Sequence, residues 1–299
     1  MIERETVIIG GGPAGMAAAV QLQRYRLVPL LFEEAELGGL LRNAHLVENY
    51  LGFPEGISGM ELVHLFKKQF EAGGIETRHE SIQRLGFDLQ SNCFHLETAT
   101  ELFSARNVIV ATGTQARDFP GIDSVNPKLH GLVTSNFLAL RNRKSATIEI
   151  LGAGDAAFDY SLALGKTNDV FIISRSHRSP ALPLLIERVG REPRIKVLKE
   201  TVVERIEPGV EKGLALSLRQ DQSLRSLEVD HLLVAIGRVP RKGFLSLDPE
   251  TSEDQLVSRK RLFLVGDVRN GFLRQTSIAA GNGIAAAMQI GRKDEGVER

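Results

Sequence analysis

Val7-Ile8-Ile9-Gly10-Gly11-Gly12-Pro13-Ala14-Gly15 is an apolar run that breaks into a glycine cluster, and the chain contains a second stretch of the same kind. That stretch is Ile148-Glu149-Ile150-Leu151-Gly152-Ala153-Gly154-Asp155-Ala156-Ala157. In each, the first glycine permits a tight strand-to-helix turn and the second lets the backbone approach a pyrophosphate. The third small residue, Gly15 or Ala157, lets helix and strand pack closely. A pyrophosphate would then rest on helix N-terminal amides. One such fingerprint also serves ordinary strand-helix junctions; two in one chain predict two bound dinucleotides.

Length and charge agree with that reading. A chain of 299 residues is long enough for two domains, each with its own core. Lys and Arg number 37, as do Asp and Glu, so no basic excess points to nucleic acid or an anionic membrane surface. The first strand begins too close to Met1 to leave room for a secretory leader, and no apolar run reaches membrane-span length. The expectation is a small-molecule enzyme in the cytoplasm, with no metal site. Cys93 is the one cysteine, which excludes an internal disulfide and fits a reducing compartment. It is expected to pack as a small hydrophobe.

Outward from the first fingerprint, a helix is expected through Ala17–Gln23 and a strand over Val28–Phe32 that ends in Glu33 and Glu34. Glu33 lies eighteen positions after Gly15, close to the roughly 20-residue spacing at which a carboxylate meets adenosine ribose hydroxyls. The other reading is a solvated strand end. Leu62, Leu65, Phe66 and Phe70 predict a helix over 61–72, and strands are expected near 75–79, 92–99 and 107–112. Asp118-Phe119-Pro120-Gly121 reads as a turn and linker. Beyond it the spacing predicts strands at Val170–Ile173, Leu232–Ile236 and Leu262–Val265, then a helix over Ile278–Ile290. The polar tail from Lys293 is expected to fray.

Taken in order, these pieces resemble the low-molecular-weight thioredoxin reductases and the related thioredoxin-reductase-like ferredoxin-NADP reductases. The most specific stretch is Val47-Glu48-Asn49-Tyr50-Leu51-Gly52-Phe53-Pro54-Glu55-Gly56-Ile57-Ser58-Gly59, which is similar to that family's flavin-contacting loop. Gly38-Gly39 with Leu40, the Ala111-Thr112-Gly113 turn, Ala235-Ile236-Gly237-Arg238-Val239-Pro240, and Gly266-Asp267-Val268 with Arg274-Gln275 complete the match. The resemblance implies an α/β fold of two Rossmann-like three-layer domains. A discontinuous FAD domain, 1–116 and 243–299, would be interrupted by an NAD(P) domain, 117–242. It implies FAD extended from Gly10, Gly12, Pro13, Ala14, Gly15 and Glu33 or Glu34 toward Asp267, Gln275 and Asn49. Asp267 is otherwise a turn former and Asn49 a loop brace. It also implies a homodimer.

Gly152, Gly154, Asp155, Ala156 and Ala157 would hold the nicotinamide coenzyme, with Ile236 and Gly237 beside them. The following strand ends without the carboxylate that NAD selectivity usually wants. Arg175 falls on the first arginine of the family's phosphate motif, whereas Ser174 and Ser176 replace its flanking histidine and second arginine. Arg178 stands nearby. NADPH is favoured, NADH stays possible, and solvated loop charges are the alternative. His177 reads as a surface residue.

One family element is absent. Counting back from Gly152 puts Ser135-Asn136-Phe137-Leu138 where thioredoxin reductases carry C-x-x-C, and Ala139 where the acid follows. Hydride transfer from nicotinamide to flavin needs no side-chain acid or base, so no catalytic side chain is expected. The function expected is an FAD-dependent NAD(P)H oxidoreductase delivering electrons to a ferredoxin-, flavodoxin- or thioredoxin-like protein, a quinone or dioxygen. The alternatives are a disulfide reductase that uses a partner's dithiol and a non-catalytic flavin-binding redox sensor.

Overall fold

The computed structural model describes residues 1–119, 126–247 and 252–294. The chain divides into two compact units, Met1–Arg42 with Val47–Gln115 and Val239–Arg299, and Asn43–Leu46 with Ala116–Arg238.

In the first unit, β1 (Ile2–Ile9) turns into α1 (Pro13–Arg24) and is followed by β2 (Leu30–Phe32), α2 (Gly59–Glu71), β3 (Glu76–Arg78), β4 (Arg84–Asp88), β5 (Cys93–Glu97) and β6 (Leu102–Val110). Later in the chain, α5 (Glu253–Ser258), β17 (Leu262–Leu264) and α6 (Thr276–Asp294) complete it; the short strands β7 (Thr114–Ala116) and β16 (Arg238–Pro240) fall where the chain passes from one unit to the other. The strand order is β3-β2-β1-β6-β5-β4, with β17 also on β6. The nine-residue β6 is long enough to serve three neighbours. It pairs in parallel with β1 along its length, antiparallel with β5 over Leu102–Ala105, and in parallel with β17 over Val108–Val110. Side chains alternate along β1. Val7 and Ile9 join Phe32, Phe94, Phe103 and Leu256 on one face, while Ile8 joins Ala18, Leu22, Ile109 and Ala287 under α1 and α6 on the other. Those alanines let the two helices approach closely. Helix α2 starts with a reciprocal cap, in which Ser58 Oγ accepts from Glu61 N at 3.2 Å and the Glu61 carboxylate accepts from Ser58 N.

The second unit holds β8 (Val133–Thr134), β9 (Thr147–Leu151), α3 (Asp155–Leu164), β10 (Asp169–Ile173), α4 (Pro183–Gly190), β11 (Ile195–Leu198), β12 (Thr201–Pro208), β13 (Leu214–Gln220), β14 (Ser223–Val229) and β15 (His231–Val234). A five-stranded parallel sheet, β11-β10-β9-β15-β8, is covered on one side by α3 and α4 through Ile148, Ile150, Phe158 and Ile172. The antiparallel meander β12-β13-β14 covers the other side through Leu214, Leu216, Leu218, Leu232 and Val234. Glu149, on β9, is fully buried; among the described residues neither carboxyl oxygen makes a hydrogen bond of normal geometry, and the nearby Ile150 and Ile173 backbone offsets the burial only in part. Burial pushes that carboxyl well above the usual carboxylate range.

The elements differ from the sequence reading in instructive ways. The strand expected over Val28–Phe32 begins at Leu30, because Val28 is 74% exposed and Pro29 has no N–H to give a ladder. The strand expected at 107–112 is the second half of β6 and stops at Val110. The run Leu232–Ile236 is strand only to Val234, and the last strand stops at Leu264. In each case the chain leaves the ladder to enter a glycine turn. The closing helix runs beyond Ile290 to Asp294, so the backbone at Lys293 is helical. Residues 295–299 of the expected frayed tail, and Pro120 and Gly121 of the expected linker, lie outside the described residues. Strand β4 and the meander were not expected.

Candidate functional site

The two glycine turns are built alike. Gly10, at φ +106°, would drive a side chain into the Ala111 carbonyl oxygen, and Gly152, at φ +124°, into that of Ala235. In both, the obstructing carbonyl follows a neighbouring parallel strand, β6 or β15. The registers are held by Ala111 N on Ile9 O at 2.7 Å and by Ala235 N on Leu151 O at 2.8 Å. Glycine is therefore dictated by backbone conformation and by space. Gly12 and Gly154 are different: each is the N-cap of its helix, without a side-chain cap, and a Cβ at either would meet no atom within 4 Å. Each helix thus opens with bare N–H groups over an empty hollow, the arrangement a pyrophosphate fills. Pro13 takes the first helical position of α1, Ala14 is buried beside it, and Ala157 is fully buried under α3. Ala156 is exposed at the mouth.

Around the first hollow, Glu33 is half-buried, with Oε2 accepting from Gly11 N at 2.7 Å and Oε1 from Ala35 N at 2.9 Å. Its remaining lone pairs face outward from a fixed carboxylate. Glu34 is committed elsewhere. Arg241 binds both of its oxygens, and Ser81 Oγ donates to it at 3.1 Å. The guanidinium holds its carboxyl below the usual range. The Arg241 backbone is fixed as well, by Thr112 Oγ1 on its carbonyl at 2.7 Å and by its own N–H on Gly113 O at 3.1 Å.

Gly39 and Leu40 open the 3₁₀ turn Gly39–Asn43, with Leu40 exposed. Gly266 and Asp267 form the turn Gly266–Val268. Gly266 is buried against Ala14 and Ala279, and Asp267 is half-buried. Arg274 is half-buried, whereas Gln275 is exposed, immediately before α6. Gln275 accepts from Asn49 Nδ2 at 2.8 Å.

Around the second hollow, Asp155 is turned to a neighbour, its Oδ1 accepting from Leu182 N at 2.8 Å. Ile236 is half-buried, and Gly237 O accepts from Arg117 N at 3.0 Å. Ser174 is buried and donates to Ser176 O at 2.9 Å. Arg175 and Arg178 are exposed, and neither is ion-paired among the described residues. His177 Nδ1 lies 3.3 Å from Glu200 Oε2.

In the Ser135–Leu138 stretch only Phe137 is buried, while Ser135 and Asn136 are exposed. Phe137 is 3% exposed and stacks on Tyr160 of α3 with ring centroids 4.5 Å apart and planes 16° from parallel. Asn136 caps the following turn through Leu138 N at 3.1 Å. Cys93 is half-buried on β5. Among the described residues no acidic, histidine or cysteine cluster could hold a metal, and no helix is long and apolar enough to cross a membrane. The sequence reading missed Arg241, Ser81, Tyr160 and Glu200. All four act through partners distant in sequence, and only the charge of Arg241 and Glu200 could have drawn notice.

The family model for pyridine nucleotide-disulphide oxidoreductases matches residues 4–283. The chain is 33% identical to the thioredoxin reductase of Streptomyces coelicolor, an alignment covering 95% of this chain and 92% of the relative. It is 31% identical to that of Treponema pallidum, covering 95% and 94%. The crystal structure of Lactococcus lactis thioredoxin reductase superposes with a TM-score of 0.84 at 25% identity, covering 96% of this chain and 97% of the other. The chain belongs to the pyridine nucleotide-disulphide oxidoreductase family, as a thioredoxin-reductase-like flavin NAD(P)H oxidoreductase whose one cysteine leaves it without a C-x-x-C pair.

Proposed function

We propose that the first unit holds FAD, that the second holds NADPH, and that electrons pass from the coenzyme to the flavin and directly on to an external acceptor. The observation that carries this reading is that Ser135 and Leu138 stand where the resemblance calls for the two redox cysteines, in a stretch anchored by Phe137 stacked on Tyr160. With Cys93 as the one thiol, no dithiol in this chain can relay electrons.

The residues fit both groups. The hollow over Gly12 and the α1 amides takes the FAD pyrophosphate, the fixed Glu33 carboxylate takes ribose hydroxyls, and Asn49, Asp267 and Gln275 take the ribityl and ring end. The hollow over Gly154 takes the coenzyme pyrophosphate, and Arg175 and Arg178, without an ion-pair partner among the described residues, offer charge to a 2′-phosphate. When bound, FAD supplies the hydride acceptor and the outlet for electrons. The chain's part is to orient and neutralise, and no side-chain acid or base is required of it.

Anaerobic rapid mixing with NADPH and with NADH, following the flavin's visible absorbance, tests the reading. NADPH should bleach the flavin, and reoxidation should follow addition of a quinone, dioxygen or a one-electron carrier protein. Failure of both coenzymes to bleach it would favour a redox sensor. Reoxidation by a thioredoxin-like disulfide alone would favour the activity for which the relatives are named.

A further inference from the structure

We propose that Glu200 is a specificity-determining residue of the second nucleotide site, one that weakens recognition of the coenzyme's 2′-phosphate; this rests on the coenzyme assignment above. The turn between β11 and β12 is fastened to the end of β10 by two backbone bonds, Ser174 N on Leu198 O and Thr201 N on Ser174 O, both 2.9 Å. Glu200 sits in that turn, and its Oε2 lies 3.3 Å from His177 Nδ1, in the middle of the loop that carries Arg175 and Arg178. A carboxylate is thereby held against the loop whose two arginines have no ion-pair partner among the described residues.

Glu200 adopts φ +53°, a left-handed conformation that glycine or asparagine takes at lower cost. Five other non-glycine residues among those described share this conformation, so the charge and placement of Glu200 carry the inference rather than its backbone. The charge count follows directly. Two guanidinium groups attract a 2′-phosphate and one carboxylate repels it, whereas a coenzyme without that phosphate carries little charge at this point and feels neither strongly. Ser174 cannot compensate, because its hydroxyl is buried and donates to Ser176 O.

The test is calorimetric titration of the FAD-loaded protein with 2′,5′-ADP and with 5′-AMP, which reads phosphate recognition without requiring turnover. Glu200→Gln should tighten 2′,5′-ADP about threefold to tenfold, the size expected of one screened charge at a solvent-exposed site. It should leave 5′-AMP within about twofold by the same reasoning. His177→Ala keeps the carboxylate and should not tighten 2′,5′-ADP. The proposal is overturned if Glu200→Gln leaves the ratio of the two affinities unchanged, or if both variants tighten 2′,5′-ADP alike, which would mean release of the loop. It is overturned too if 2′,5′-ADP binds none of the three proteins. Flavin bleaching by NADPH is read separately, so a protein that bleaches but shows no Glu200 effect loses this inference and keeps the reductase reading.

Discussion

Asn49 Nδ2 donates to Gln275 Oε1 at 2.8 Å, joining two loops that lie 226 positions apart in the chain. One loop enters α2 and the other enters α6, so the bond ties both helix approaches to one point of the first unit. Both residues are exposed, so fold stability depends on them little. Their value lies in fixing two side chains that are proposed to meet the same flavin. Asn49→Leu removes the donor, and a hydrogen bond of this type contributes about 0.5–1.5 kcal/mol. FAD affinity should fall about twofold to tenfold on that scale, while the melting temperature stays near wild type. Fluorescence of released flavin measures the affinity, and an unchanged value would remove the pair from the site.

The glycines separate into two classes that substitution can distinguish. Gly10→Ala and Gly152→Ala force a side chain onto positive φ and into the carbonyls of Ala111 and Ala235, so each should destabilise its unit by on the order of 2–4 kcal/mol. Gly12→Ala and Gly154→Ala meet no protein atom. Their cost to the fold should stay near about 1 kcal/mol, the scale of an N-cap change. The Cβ then occupies the hollow itself. Gly12→Ala should lose FAD on gel filtration, and Gly154→Ala should raise the KM for NADPH more than about tenfold, which corresponds to roughly 1.4 kcal/mol of lost binding. Equal loss of stability in all four variants would refute the distinction.

Both glycine turns were legible because each ends an apolar run, and local sequence alone demands a turn there. Their obstructing carbonyls were not. Ala111 meets Gly10 only because β6 pairs with β1, and Ala235 meets Gly152 only because β15 pairs with β9. Such long-range registers leave no local signature. Glu34 stands beside Glu33 in the expected cofactor set, and its carboxylate is bound by Arg241, 207 positions away, a pairing no local pattern announces. The meander was obscured for another reason. β14, Ser-Leu-Arg-Ser-Leu-Glu-Val, is exposed over its first four residues, and its pattern is too polar to announce a strand. Glu149 was read as part of an apolar run, and nothing in its neighbours Ile148 and Ile150 signals that its carboxyl is sealed away from water.

One substitution tests the packing role of Phe137 and another tests whether electrons leave without a thiol. Phe137→Ala opens a cavity under Tyr160 and should destabilise the second unit by about 3–5 kcal/mol. Below the melting temperature of that variant, flavin bleaching should proceed at close to the wild-type rate, since the ring takes no part in the chemistry. Cys93→Ser should leave both bleaching and reoxidation within about twofold, as expected of a thiol that only packs. Loss of reoxidation in Cys93→Ser alone would show that the thiol carries electrons.

The carboxyl of Glu149 ties the stability of the second unit to pH. In the unfolded chain it ionises with an ordinary value near 4.5, whereas burial keeps the folded carboxyl protonated to much higher pH. Above pH 4.5 the folded state therefore binds more protons than the unfolded state, and stability falls as pH rises until the folded group itself ionises. This is opposite in sign to Glu34, whose Arg241-lowered value contributes stability that is lost as pH falls. Glu149→Gln removes the titration while keeping the shape, and should flatten the decline in melting temperature between about pH 5 and 8. Glu149→Leu should do the same and also remove two buried carboxyl oxygens, gaining on the order of 1–3 kcal/mol at pH 8. Calorimetric melts across that range decide it. If wild type and both variants decline in parallel, then Glu149 is charged and paired in the folded protein, and the buried neutral acid is wrong.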